Sequence, residues 1–376
     1  MDYFNREKFH FSYKSSHSTI SVVLIFSTTL LLSPSSYLLL KIDNAWATTS
    51  SEPTIPVYMV TTRGGFDSPQ GVPETGYDGN PLGDINQLRR DCPPEVAIFV
   101  HGWFVSSDAA KEQLDRVRMS LENNTYYNIH LVGYSWGSDI EWNEAKILAK
   151  NEGTKLAQFI SELEQECNGN IDIRLIAHSL GSRVALSSLN ALNSILPSSI
   201  AHFKILSVHL MGAAVDNDEI SLSPIASVSN PNPWWGVPQC TTDTSGLRFA
   251  YGQDIQQRVV NFYNLVNPGD NVLQWIYPCY QGGNRALGES GKQDSSLEVQ
   301  SLDNYTDVYG VQEEIKPYDD ADAIYGCDIG ICDLGLEPPQ EGDNHLGYMG
   351  FRDSANTSKL VDDGAINIVV DAWRNG

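Results

Sequence analysis

The sequence predicts an α/β protein, with a mostly parallel central sheet covered by helices on both faces. Two observations carry this prediction. From about residue 57 onward, short apolar runs alternate with longer stretches whose apolar residues recur near helical spacing, the pattern of strand-helix units. The short runs are also continuous, as in VAIFV at 96–100 and IDIRLIA at 171–177, which suits strands buried on both faces.

Taken in order, the strand at 96–100 ends at His101-Gly102, and residues 107–122 read as a helix with Leu114, Val117, Met119 and Leu121 on its apolar side. A second buried strand follows at 129–134. The longest helical pattern, 141–166, carries Ile147, Leu148, Leu156, Phe159, Ile160 and Leu163, with Gly153 expected as an irregularity. A strand at 171–177 leads into a helix from Leu180 toward Leu196, which Pro197 stops. Two more strands are expected around 203–211 and 258–266. Between them, residues 221–257 are rich in Pro, Asn, Ser and Gly and contain Trp234-Trp235; so long a loop in a compact domain usually serves function. Residues 282–350 are acidic and poor in periodicity, and an amphipathic helix at about 362–373 closes the chain.

The first 47 of the 376 residues read as a targeting segment. Arg6, Lys8 and Lys14 precede an apolar stretch at 20–40, and Ala45-Trp46-Ala47 offers the small residues that signal peptidases require. The expectation is a signal peptide at 1–47 followed by one catalytic-sized domain at 48–376. An uncleaved membrane anchor is the alternative, if Ser33-Pro34-Ser35-Ser36 were tolerated within the span. Either way the domain faces the outside, where six cysteines, all after Ala47, can pair. Cys327 with Cys332 and Cys240 with Cys279 are possible pairs, and none has metal-ligand spacing with histidine. The formal charge is −23, which argues against nucleic acid and anionic lipid as partners.

Ala177-His178-Ser179-Leu180-Gly181 is a variant of the G-x-S-x-G nucleophile elbow, a sharp strand-to-helix turn that needs small residues two before and two after the serine. Alone the pattern is weak, but here it begins at the end of a buried strand and opens a helix, as the chemistry demands. The run from Ile176 to Ala185 resembles the elbows of lipases and of a little-characterised prokaryotic branch of the α/β-hydrolase superfamily. Phe99-Val100-His101-Gly102-Trp103 resembles the strand end that precedes the oxyanion loop in that superfamily. The resemblance implies the α/β-hydrolase fold with a loop-rich lid insertion at about 221–257. It also implies an oxyanion hole built from the Leu180 and Trp103 amides, with Gly102 allowing close backbone approach. His101, on a strand end upstream of the serine, is expected to shape the loop.

In this superfamily the triad partners follow the nucleophile in the order acid, then histidine. His202 and His209 fall on one predicted strand, so His345, in a turn-rich loop before the closing helix, is the expected base. His178 is excluded because its side chain diverges from the serine. For the acid, Asp270 in Asn267-Pro268-Gly269-Asp270 follows a strand, and Asp216 at the end of the preceding strand is its rival. The superfamily's strand order would also bring Cys92 and Cys167 together at the lower edge of the sheet, within reach of a disulfide.

These residues point to a serine hydrolase that cleaves carboxylic esters through an acyl-enzyme, with no cofactor and no obligate protein partner. Trp234, Trp235, Trp275 and Tyr277 would give the lid an apolar lining suited to a small-molecule or lipid ester. The same triad could cleave amides or peptides, and the fold could serve as a non-catalytic binding scaffold. The run of Asp319, Asp320, Asp322, Asp328 and Asp333 is expected to be a solvated loop, with calcium the lesser alternative. Asn123, Asn304 and Asn356 head Asn-x-Ser/Thr sites.

Overall fold

The computed structural model describes residues 54–72, 74–79, 81–222, 250–281, 284–292, 302–315, 345–353 and 356–375. The signal segment, the Trp234-Trp235 loop, the acidic run at 319–333 and the cysteines at 240, 327 and 332 therefore lie outside the described residues.

The chain enters the sheet with β1 (Val57–Thr61), turns back through the two-residue β2 (Gln70–Gly71), and adds helix α1 (Ile85–Asp91), which Asp84 caps by accepting from the Asn86 amide. Strand β3 (Glu95–Val100), helix α2 (Ser107–Asn123), β4 (His130–Ser135), helix α3 (Trp142–Glu166), β5 (Asp172–His178), helix α4 (Gly181–Ile195) and β6 (Ile205–Met211) follow in alternation. Helix α5 (Gly252–Arg258) and β7 (Val259–Leu265) come next, then a π-helical turn (Val272–Ile276) with helices α6 (Tyr277–Tyr280) and α7 (Leu287–Ser290), then β8 (Tyr305–Val308). A small hairpin of β9 (Phe351–Asp353) and β10 (Asn356–Asp362) precedes helix α8 (Ile366–Asn375).

The eight-stranded sheet runs β2-β1-β4-β3-β5-β6-β7-β8, parallel throughout except for β2. Its central strands are apolar on both sides because each face is covered. On one face α3 and α4 bury Leu156, Phe159, Val184 and Leu189; on the other, α2 and α8 bury Leu114, Val117, Val369 and Trp373. Register decides where the loops emerge. Val100 pairs with Ala177 and His178 with Met211, so the segments after β3, β5 and β6 leave the same edge side by side.

At the opposite edge Glu95 pairs with Asp172, and the loops just before those strands meet in a Cys92–Cys167 disulfide with Cα atoms 5.4 Å apart. Gly153 is not the irregularity expected of it. It lies inside an unbroken α3, where a Cβ would collide with Ser187 of α4, so the glycine lets two helices approach closely. Strand β8 falls in the stretch read as aperiodic; four residues on an edge leave no period to detect.

Candidate active site

Ser179 occupies the turn between β5 and α4 with φ +53°, a left-handed conformation that costs a non-glycine residue of order 1–3 kcal/mol. Hydrogen bonds hold it there. Its amide donates to the Met211 carbonyl at 3.0 Å, and its own carbonyl accepts from Ala214 at 3.2 Å and from Ser182 at 3.0 Å. The flanking small residues have measurable reasons. A Cβ on Gly181 would sit 2.5 Å from the carbonyl oxygens of Val100 and His101, and one on Gly102 would sit 2.7 Å from Ser179 Cβ and 3.2 Å from its Oγ. Gly102 is therefore where the loop after β3 comes against the hydroxyl. Ser179 is 7% exposed, and Leu180, fully buried, is the N-cap of α4.

His101 shapes that loop. Its Nε2 accepts from the Trp136 amide at 3.1 Å, leaving Nδ1 to donate to the Gly102 carbonyl at 3.0 Å, while its own carbonyl accepts from Trp136 Nε1. Burial, and then the nearby Arg63 cation, push this imidazole down to about 3, so it stays neutral. Trp103 is half-buried, and its Nε1 donates to the Ile140 carbonyl at 2.8 Å. Its ring meets Trp142 edge-on at 5.1 Å, Tyr280 at 6.0 Å and Phe104 at 5.8 Å. Phe104 is 56% exposed at φ +57°, held by the hydrogen bond that its backbone N–H donates to the Ser138 carbonyl at 3.0 Å.

His345 Nδ1 lies 2.7 Å from Asp270 Oδ2, and Asp270 is completely buried in the turn after β7. The same Oδ2 accepts from the Tyr348 hydroxyl at 3.2 Å, and Oδ1 accepts from the Leu273 amide at 3.1 Å. With Nδ1 donating to the carboxylate, His345 Nε2 is the unprotonated nitrogen; it is buried and takes no hydrogen bond from any described residue. The ring lies over the end of β6, its Cε1 3.2 Å from where a Cβ on Gly212 would stand, and Gly212 follows the Met211 that holds Ser179. No hydrogen bond joins Ser179 Oγ to His345 Nε2 in this structure.

The rival carboxylate goes elsewhere. Asp216 accepts from the Tyr277 hydroxyl at 2.7 Å and from Asn284 Nδ2 at 3.2 Å. Tyr277, expected in a lid lining, is 2% exposed with its ring edge-on to Trp142 at 6.0 Å: the structure places it in the core. Its segment is docked, with the Leu287 and Gly288 amides donating to the carbonyls of Val215 and Ala213. Trp234 and Trp235 lie outside the described residues, as does the Trp275 side chain. His209 is buried, accepts from Trp373 Nε1 at 2.9 Å and is pushed by burial to about 3; His202 is exposed.

Sequence reasoning assigned no role to Tyr348 or to the partners of His178. The first had a signal, since it lies three positions after His345 in a turn, a spacing that would let both side chains reach one carboxylate. The second had none, because its partner is a main-chain oxygen.

Residues 83–243 match the model of a family described as an alpha/beta hydrolase of unknown function (DUF900). No curated protein matches the chain. Among solved structures, the chain is similar to an acetylxylan esterase at 12% identity and a TM-score of 0.24, covering 35% of this chain and 67% of that one. It is also similar to a candidate cell surface hydrolase from Lactobacillus plantarum at 11% identity and a TM-score of 0.28, covering 47% and 70% respectively. At those scores neither likeness carries an argument.

Proposed function

We propose that this chain, which folds as an α/β sheet protein and matches an alpha/beta hydrolase family model over residues 83–243, is an exported serine hydrolase that cleaves carboxylic esters through an acyl-enzyme. The observation that carries the reading is the His345–Asp270 pair, whose remaining ring nitrogen is free to act as a base beside the strained elbow of Ser179. In the proposed reaction Ser179 Oγ comes within hydrogen-bond reach of His345 Nε2. The hydroxyl then attacks the ester carbonyl as His345 takes its proton, and Asp270 stabilises the imidazolium. The Leu180 and Trp103 amides receive the oxyanion; each such donor contributes about 10²–10³ in rate. His345 returns the proton to the leaving alcohol, and water releases the acyl group by the same steps. These groups and water suffice for the chemistry.

An ester with an apolar part is supported by the ring surface of Trp103, Phe104 and Tyr280, which begins at the residue after Gly102. Export is supported by the leader-like residues 1–47 and by the Cys92–Cys167 disulfide. Among the described residues no helix is long and apolar enough to cross a membrane.

The test is fluorophosphonate labelling beside turnover of an ester chain-length series. Labelling at Ser179 with ester turnover, both lost in Ser179→Ala, is the expected result. Turnover that survives in Ser179→Ala, or a wild type that neither labels nor turns over any ester, overturns the reading.

A further inference from the structure

We propose that His178, the residue before the nucleophile, is the positioning residue of the base: it donates its Nε2–H to the main-chain carbonyl of His345 and so sets where the His345 ring stands against Ser179. The inference rests on the hydrolase reading above. The distance is 2.7 Å, and a carbonyl oxygen can only accept, so the proton on Nε2 is required.

The tautomer has a consequence. His178 Nδ1 becomes an acceptor, and it is fully buried with no partner among the described residues, an arrangement that is costly for a core position. An aliphatic side chain would fill the space without that cost, so packing alone does not account for a histidine here.

Geometry shows what the bond adds. The Asp270 contact holds the His345 ring at one atom, about which the ring could still pivot. A second anchor on the His345 main chain fixes the other end of the residue. That anchor comes from β5 itself: His178 pairs with Met211, whose carbonyl also holds the Ser179 amide. The elbow, the end of β6 and the His345 turn thus form one hydrogen-bonded body. The two imidazoles lie 4.8 Å apart, and burial, then the neighbouring His345, keep His178 neutral, pushed down to about 3. No second cation then appears beside His345 when it takes the serine proton.

The experiment compares His178→Gln, whose amide keeps a donor near the same place, with His178→Phe, which keeps a ring and loses the donor; His178→Leu replaces the latter if the larger ring prevents folding. The donor-less variant should lose about 10- to 100-fold in kcat and in the rate of Ser179 labelling, with KM within about twofold, and His178→Gln should recover most of the loss. Equal losses in the two variants, or a change in KM with kcat kept, overturn the proposal. A second readout is independent of activity: the proton NMR signal of the His345 Nδ1–H should persist in wild type and His178→Gln and broaden by solvent exchange in the donor-less variant. Should the wild type neither label nor turn over esters, the hydrolase reading falls while this signal still decides the clamp; a signal equally sharp in all three refutes it.

Discussion

Two clusters of side chains are tied to the segments around Ser179, one through its neighbour His178 and the other through Gly102-Trp103, and they are built on opposite physical plans. On one side stand His345, Asp270, Tyr348 and His178, joined by hydrogen bonds of 2.7 to 3.2 Å. On the other stand Trp103, Trp142, Tyr277 and Tyr280, whose rings meet edge-on or tilted at 5.1 to 6.0 Å. The hydrogen-bonded flank is directional, since an acceptor misplaced by an ångström no longer receives its proton. The aromatic flank is tolerant, because dispersion and burial fall off smoothly and a ring can shift and still pack. The difference teaches where each kind of substitution should register: in kcat on the first flank, in KM or stability on the second.

The two carboxylates give the widest separation. Asp270→Asn keeps the shape but offers His345 a donor where it needs an acceptor, and kcat should fall about 10³- to 10⁴-fold. Asp216→Asn, beside Tyr277, should leave kcat within about threefold while lowering urea stability by about 1–3 kcal/mol. Steady-state kinetics with denaturant melts of both variants would break the comparison if the losses were reversed. Next comes Gly102→Ala, whose Cβ meets Ser179 at 2.7 Å; a loss of about 10²-fold in kcat, with a melting temperature lowered by the clash, is expected. On the aromatic flank, Phe104→Ala removes an exposed ring, so KM for long-chain or aryl esters should rise about three- to tenfold with kcat kept. Tyr348→Phe removes the hydroxyl donor to the Asp270 carboxylate and should cost kcat about three- to tenfold.

A carboxyl remote from both flanks supplies a control in which only stability moves. Glu164 of α3 is buried with neither oxygen hydrogen-bonded among the described residues, and burial, then the nearby Asp172 charge, pushes it up to about 7. The folded protein therefore holds this proton more tightly than the unfolded chain, where a glutamate releases it near 4.5. Stability falls as pH rises through that interval, and the penalty is complete above pH 7. Glu164→Gln should match wild type near pH 4.5 and exceed it by about 1–3 kcal/mol at pH 8 in urea melts.

The residues proposed to carry the chemistry are legible in the sequence to different depths. Ser179 could be read from the chain because a strand, a turn and a helix that are contiguous in sequence announce an elbow. His345 could be read by order and elimination among few histidines. The choice between Asp270 and Asp216 stayed open, since both follow strands in similar turns and their partners, His345 and Tyr277, come from separate loops. Gly153 misled for a related reason: a glycine inside a helix looks like a break until the neighbouring helix is known.

What the sequence by itself determined was the alternation of buried strands and amphipathic helices, the elbow, and the shortlist of acids and bases, because hydrophobic periodicity and turn chemistry act between residues close along the chain. Which carboxylate meets His345, and that His178 holds it from behind, were decided only by the folded sheet. Those bonds join residues 75 and 167 positions apart, and their formation depends on strand register and loop docking that no local run of residues encodes.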